Sequence, residues 1–262
     1  MGTTIRDFLH PEFVLFGVDD QDTATLAEVF YKSIHNRPFY KTTIKNAELI
    51  KVSYNTFIST KLAFVNTLLE VCQKTGCDVD AVTDALKLAN ERLISPKYMT
   101  AGMGDGGGCH PRDNIALSWL AQKLDLGYDF FQSIMLSREK QTDWFVKLII
   151  EEIKLMPPQQ ATDVIILGTA FKANTNLTTG SPSLLLNSLL CEAGVRSTLV
   201  DPVVDTSIGE LKFTSQALFF IGTKHDVFAT VKFPRGSVVI DPHRYIADQD
   251  GVKVIRLGEG TK

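Results

Sequence analysis

Residues Gly106-Gly107-Gly108-Cys109-His110-Pro111-Arg112-Asp113 bring a nucleophile, a run without side chains and a carboxylate into one short stretch. Three successive glycines leave the thiol and the neighbouring backbone N–H groups open to close approach by a ligand. Pro111 suits the first position of a helix, and Ile115, Leu117, Trp119, Leu120 and Leu124 recur at helical spacing behind it. Cys109 is therefore expected just before a helix N-terminus, where the positive end of the dipole lowers a thiol pKa and favours thiolate. A buried cysteine after a flexible loop explains the same residues equally well, because unpaired cysteine is among the most buried residue types. Lys51 and Asn55 lie four apart, so on a helix they share one face.

Other segments stand in a fixed order around this one. They are Asn46-Ala47-Glu48-Leu49-Ile50-Lys51 with Asn55, the run Ser59 to Asn66, Pro96-Lys97-Tyr98 with Ala101-Gly102, and Gly168 followed by Ala170-Phe171-Lys172, Asn174-Thr175 and Ser181-Pro182. Together with GGGCHPRD, which resembles GGSCFPKD, they resemble the motifs of the nucleotide-sugar 6-dehydrogenases, the UDP-glucose dehydrogenase family. The resemblance implies oxidation of a sugar CH2OH to a carboxylate by two hydride transfers to NAD. It makes Cys109 the nucleophile, holding the intermediate as thiohemiacetal and then thioester. It assigns Lys51 and Asn55 to stabilising alkoxide charge and Asp113 to organising water and the lysine. Lys97, Gly106, Gly107 and Lys172 become substrate-binding positions, and UDP-glucose the expected substrate. Without the resemblance, Lys51 and Asn55 read as a solvated helix face, Asp113 as a first-turn carboxylate and Lys172 as an ordinary loop lysine.

The opening Met1-Gly2-Thr3-Thr4-Ile5-Arg6-Asp7-Phe8-Leu9-His10-Pro11 resembles the family's EGTAIxDFLHP, entered just after its glutamate. The family's first dinucleotide-binding domain and the glutamates of its PEFLxEG stretch are thus expected outside this chain. No Gly-x-Gly-x-x-Gly follows a strand pattern, so cofactor-binding residues stay unassigned and NAD is implied by the family alone. A separate NAD-binding subunit becomes an expected partner. Some positions depart from the family: its arginine in TDDLRESP falls on Thr179, and the acidic pair before it on Asn176 and Leu177. A UDP-sugar-binding or dimer-forming module without catalysis is the alternative.

Composition excludes several classes. The 262 residues are 44% hydrophobic and 22% charged with a net charge of −3, which suits a globular chain without a nucleic-acid footprint. No apolar run approaches the roughly 20 residues that span a bilayer, and no secretory signal opens the chain. Cys72, Cys77, Cys109 and Cys191 lack metal-site spacing, so no metal is expected and reduced thiols in a cytoplasm are. Cys72 and Cys191 lie in apolar helical patterns and are expected to pack inside.

The elements that must position these residues follow from periodicity. Strands are expected at 13–18 and 39–42 around a helix at 23–34. A long helix spans 47–74 and ends at Gly76, and another opens at 78–82. After a break at 156–160, strands at 163–167, 197–200, 217–222 and 237–241 alternate with a helix at 183–193 that ends at Gly194. The expected fold is α/β: a long-helix central dimerisation region, then a Rossmann-like UDP-binding domain, with a remnant edge of a first Rossmann domain. The corresponding divisions are 1–44, 45–155 and 156–262, and the family implies a homodimer through the long helix.

Overall fold

In the computed structural model, Asp20 starts the first long helix by accepting from Thr23 N at 2.8 Å and from Thr23 Oγ1 at 2.6 Å. Such a cap satisfies N–H groups that a helix N-terminus leaves without partners. The structure describes residues 4–93, 95, 100–103, 109–157, 163–205 and 211–259. They fall into two compact units, residues 1–72 and 73–262.

The first unit runs α1 (Thr4–Leu9), β1 (Val14–Gly17), α2 (Gln21–Lys32), β2 (Phe39–Thr42) and α3 (Ile44–Thr75). β1 and β2 pair in parallel from Val14–Phe39 to Gly17–Thr42, with α2 as their crossover. Phe16 stacks on Phe39 at 5.8 Å and meets Tyr31 at 5.6 Å. A Cβ on Gly17 would come within 2.7 Å of Ala47 Cβ, so only glycine lets β1 approach α3 this closely. α2 begins at Gln21 rather than Thr23, because Asp20 is the cap. α3 passes through the unit boundary and ends at Gly76, whose φ of 76° is the left-handed conformation of a helix stop. The division at 44 and 155 remains a proposal drawn from the family resemblance.

The second unit continues with α4 (Val79–Lys87), capped by Asp78, then α5 (Cys109–Lys123) and α6 (Phe130–Leu155), capped by Asp129. β3 (Val164–Leu167), α7 (Pro182–Glu192), β4 (Ser197–Val200), β5 (Leu218–Ile221), β6 (Val238–Asp241) and β7 (Lys253–Arg256) complete it. The five strands are all parallel in the order β4-β3-β5-β6-β7. Every residue of β5 and β6 is buried. Phe145, Ile149, Leu186 and Leu190 of α6 and α7 pack with Ile166, Phe220 and Ile240 on one face. Phe228, Phe233 and Ile246 pack with Phe219, Ile221 and Val239 on the other. That double cover is what an all-parallel sheet requires.

Three expectations need correction. α5 starts at Cys109 itself, so the cysteine is the first helical residue rather than the one before it, and Pro111 is the third. The shift is tolerated because a first turn has N–H groups without intrahelical acceptors, and proline removes one of them. Asp113 therefore lies beyond the first turn, which holds no acidic residue. Cys191 is exposed, near the solvent end of α7, whereas Cys72 is buried. β7 went unanticipated because its two apolar residues, Val254 and Ile255, sit between Lys253 and Arg256. No helix among the described residues is long and apolar enough to cross a membrane.

Candidate functional site

Lys51 sits on α3, exposed, in the wall of a cleft of about 580 Å³ that Asp7, His10, Glu12, Ile50 and Tyr54 also line. Tyr54 donates to Glu12 Oε2 at 3.2 Å, and that hydrogen bond raises the phenol pKa. α3 is continuous through Lys51 and Asn55; the Asn55 side chain is outside the described residues. So are Lys97, Gly106, Gly107 and Gly108, and the thiol of Cys109. Asp113 is exposed and accepts from Arg112 Nε at 2.9 Å.

The C-terminal edge of the five-stranded sheet is more fully built. The chain leaves β3 toward β4 on one side and later adds β5 on the other, which places the topological switch between β3 and β5. Open α/β sheets bind ligands in the crevice outside such a point. Gly168 and Gly222 end these two strands. Gly168 has φ of 101°, and a Cβ there would lie 2.4 Å from Thr223 Cβ. A Cβ on Gly222 would lie 2.2 Å from Ser183 Oγ, a buried hydroxyl with no hydrogen-bond partner among the described residues. Lys172, on the loop after β3, is exposed with Nζ 5.4 Å from the Phe171 ring centroid. No carboxylate pairs with it among the described residues.

Two buried carboxylates organise this edge. Asp201, directly after β4, accepts at Oδ2 from Thr169 N at 2.7 Å and Ala170 N at 2.9 Å. His225 Nε2 stands 3.2 Å from the same oxygen. Oδ1 of Asp201 accepts from Val203 N at 2.9 Å and Val204 N at 3.2 Å. Burial alone would push the Asp201 carboxyl up. The N–H groups of Ala170, Thr169 and Val203, with the charge of His225, outweigh that and hold it below the usual carboxylate value. Asp241, the last residue of β6, accepts from His243 N, Tyr245 N and Ile246 N at 2.7–2.8 Å. Tyr245 donates its hydroxyl to His225 O at 3.1 Å, and burial raises the phenol pKa strongly.

His243 and Arg244 join this edge to the Ala101-Gly102 segment. Arg244, at φ 58°, donates to Ala101 O at 2.6 Å, to Leu257 O at 3.1 Å and to Pro242 O. His243 Nε2 stands 3.3 Å from Gly222 O, and a Cβ on Gly102 would meet His243 Nδ1 at 2.7 Å. Burial lowers the His243 pKa, only partly opposed by the Gly222 carbonyl and Asp241. Sequence reasoning missed Asp201, His225, Asp241, His243 and Arg244. A signal was present: β4 and β6 both run into Asp-Pro, at Asp201-Pro202 and Asp241-Pro242. Proline stops the ladder there while the aspartate turns back to collect N–H groups.

NAD finds no fitted cradle among the described residues. The turn after β3 reads Gly168-Thr169-Ala170-Phe171-Lys172, and the space at Gly168 and Gly222 is taken by Thr223 and Ser183. A dinucleotide pyrophosphate needs further glycines where the backbone approaches it. No residue described here is therefore assigned to that cofactor.

Comparison with known proteins agrees with the motif order. Residues 45–139 match the profile of the UDP-glucose/GDP-mannose dehydrogenase family, central domain. The chain is 30% identical to UDP-glucose 6-dehydrogenase TuaD of Bacillus subtilis, over 77% of this chain and 42% of that one. It is also 30% identical to UDP-glucose 6-dehydrogenase AglM of Haloferax volcanii, over 96% of this chain and 62% of that one. The fold is shared with a ternary complex of GDP-mannose dehydrogenase from Pseudomonas aeruginosa. That match has a TM-score of 0.82 at 24% identity, covering 96% of this chain and 62% of that one. This chain spans about half the length of the curated relatives it matches. Residues 45–139 thus carry the central domain of the UDP-glucose/GDP-mannose dehydrogenase family, and the chain beyond them is similar in sequence to UDP-glucose 6-dehydrogenases.

Proposed function

We propose that this chain is the nucleotide-sugar-binding, cysteine-bearing part of an NAD-dependent dehydrogenase that oxidises UDP-glucose to UDP-glucuronate. The observation that carries the reading is the central-domain match over 45–139, which spans Lys51, Asn55, Lys97, Cys109 and Asp113. NAD would supply the acceptor for both hydrides, and no described residue is assigned to hold it.

The Cys109 thiolate adds to the C6 aldehyde, forming a C–S bond and an alkoxide that the Lys51 ammonium and Asn55 amide stabilise. After the second oxidation, water held by Asp113 adds to the thioester carbon. The C–S bond breaks, the thiolate leaves and the sugar carboxylate remains. Lys172, exposed on the loop after β3, holds the diphosphate. Gly106 and Gly107 let the substrate approach the cysteine, and Lys97 takes part in binding it. Exposed Leu49, Phe57 and Leu69 on α3 supply apolar surface for a second copy, and the location is cytoplasmic.

The test is NADH formation from UDP-glucose and NAD. The chain alone should give none, and addition of an NAD-binding half should restore turnover that Cys109→Ala abolishes. Turnover by the chain alone would contradict the division of labour. The Cys109 thiol should alkylate with a pKa below the ~8.5 of a free thiol, and a value at or above it would count against an activated nucleophile. The second reading, a UDP-sugar-binding or dimer-forming module without catalysis, is favoured by the Asp113–Arg112 pair and by Thr179 in place of the family arginine. Absence of NADH with the added half, while UDP-glucose still binds, would select it.

A further inference from the structure

We propose that Asp201 is a positioning residue for the nucleotide site: it clamps the backbone of Thr169 and Ala170 and thereby fixes the loop that presents Lys172. The inference rests on the proposed contact between Lys172 and the nucleotide.

The two Asp-Pro turns of this sheet differ in what they hold. Asp241 collects N–H groups at sequence separations of 2, 4 and 5, all within the loop that follows its own strand. Asp201 does this at Val203 and Val204, and in addition reaches back 31 and 32 residues to the loop of the neighbouring strand β3. A turn needs only the first kind of bond. The second kind ties the β3 loop to β4.

Ala170 is held at both of its backbone groups. Its N–H goes to Asp201, and its carbonyl accepts from Thr223 Oγ1 at 2.5 Å. His225 and Thr223 belong to the loop after β5, and Tyr245, after β6, fixes His225 through its carbonyl. Four successive strand ends are thereby linked side by side, and Lys172 extends from the linked segment two residues past the clamp. The clamp is buried throughout: Asp201, Thr223 and His225 are each under 5% exposed. Lys172 is not. An exposed lysine loses less conformational freedom on binding when its backbone is already fixed.

Asparagine cannot replace this aspartate despite its shape. Each carboxylate oxygen accepts from at least two N–H groups, so an amide NH2 in either place would face donors.

The test is a double-mutant cycle on the full chain, with UDP as the titrant in calorimetry. Lys172→Ala should weaken UDP binding about tenfold or more, the scale of one charged hydrogen bond. Asp201→Asn should weaken it by a similar factor, and the double variant should bind no worse than Lys172→Ala, because one contact can be lost only once. Additive losses, or an Asp201→Asn chain that binds UDP as wild type does, would overturn the inference and leave the Lys172 contact standing. If UDP does not bind the wild-type chain, or Lys172→Ala binds unchanged, the proposed site and the inference fall together. Should Asp201→Asn fail to fold, Thr223→Val, which frees only the Ala170 carbonyl, goes through the same cycle. It should show a smaller loss that again vanishes in the Lys172→Ala background; additivity there overturns the clamp.

Discussion

β5 and β6 are buried at every position, whereas β1 and β2 are half-buried on both faces, although all four are parallel strands of four residues. The difference lies in what covers them. α6 and α7 seal one face of the larger sheet, and Phe228 and Phe233 pack on the other. On α2 only Ala24 is buried, while Leu26, Val29 and Phe30 are 74%, 63% and 62% exposed. A two-stranded sheet is marginal by itself. Identical pairing thus gives a rigid platform in one region and an under-covered βαβ unit in the other. The platform is also where buried aspartates join loop to loop.

Breaking the platform should have the largest effect. Phe220 is fully buried and meets Phe145 edge-on at 5.3 Å. Phe220→Ala should cost about 3–5 kcal/mol in urea unfolding. Phe16→Ala in β1 should cost roughly 1 kcal/mol, the scale of an aromatic pair. Equal losses would show the two sheets to be equally sealed. Amide hydrogen exchange should rank them the same way, with Leu218–Ile221 and Val238–Asp241 exchanging far more slowly than Val14–Gly17 and Phe39–Thr42.

A smaller effect depends on pH. His243 titrates below an ordinary imidazole because partial burial disfavours its charged form, so the unfolded chain binds its proton more readily. The stability it contributes is complete above about pH 6.5 and is lost as the pH falls from there toward the folded pKa. Thermal melts from pH 7.5 to 5 should therefore slope less for His243→Asn than for wild type; an unchanged slope would place the titration elsewhere. Asp201 acts lower on the scale. Its carboxyl is held down in the folded state, so its contribution is present above about pH 4 and disappears as acid protonates it. An acid-unfolding limb that keeps its steepness in Asp201→Asn would remove this assignment.

Much of the architecture was legible because apolar residues recur at the right periods. Leu49, Ile50, Phe57, Ile58 and Leu62 mark α3, and the uninterrupted Leu218-Phe219-Phe220-Ile221 marks a strand buried on both faces. Gly76 and Gly194 were readable as helix stops, and both take positive φ. β7 was not, since two apolar residues between charges carry no period. The clamp at Asp201 was illegible for another reason. Sequence spacing reports bonds within a turn, but a helix and a strand separate Ala170 from Asp201, and only the strand order makes them neighbours. Cys191 shows the converse, an apolar context on the solvent side of a helix turn whose other side buries Leu190.

The most direct measurement is amide exchange of the full chain with and without saturating UDP-glucose. The account predicts slowed exchange at residues 168–172 and 222–225 around the switch between β3 and β5, with little change at residues 14–17 and 39–42. No protection anywhere, or protection confined to β1 and β2, would contradict it.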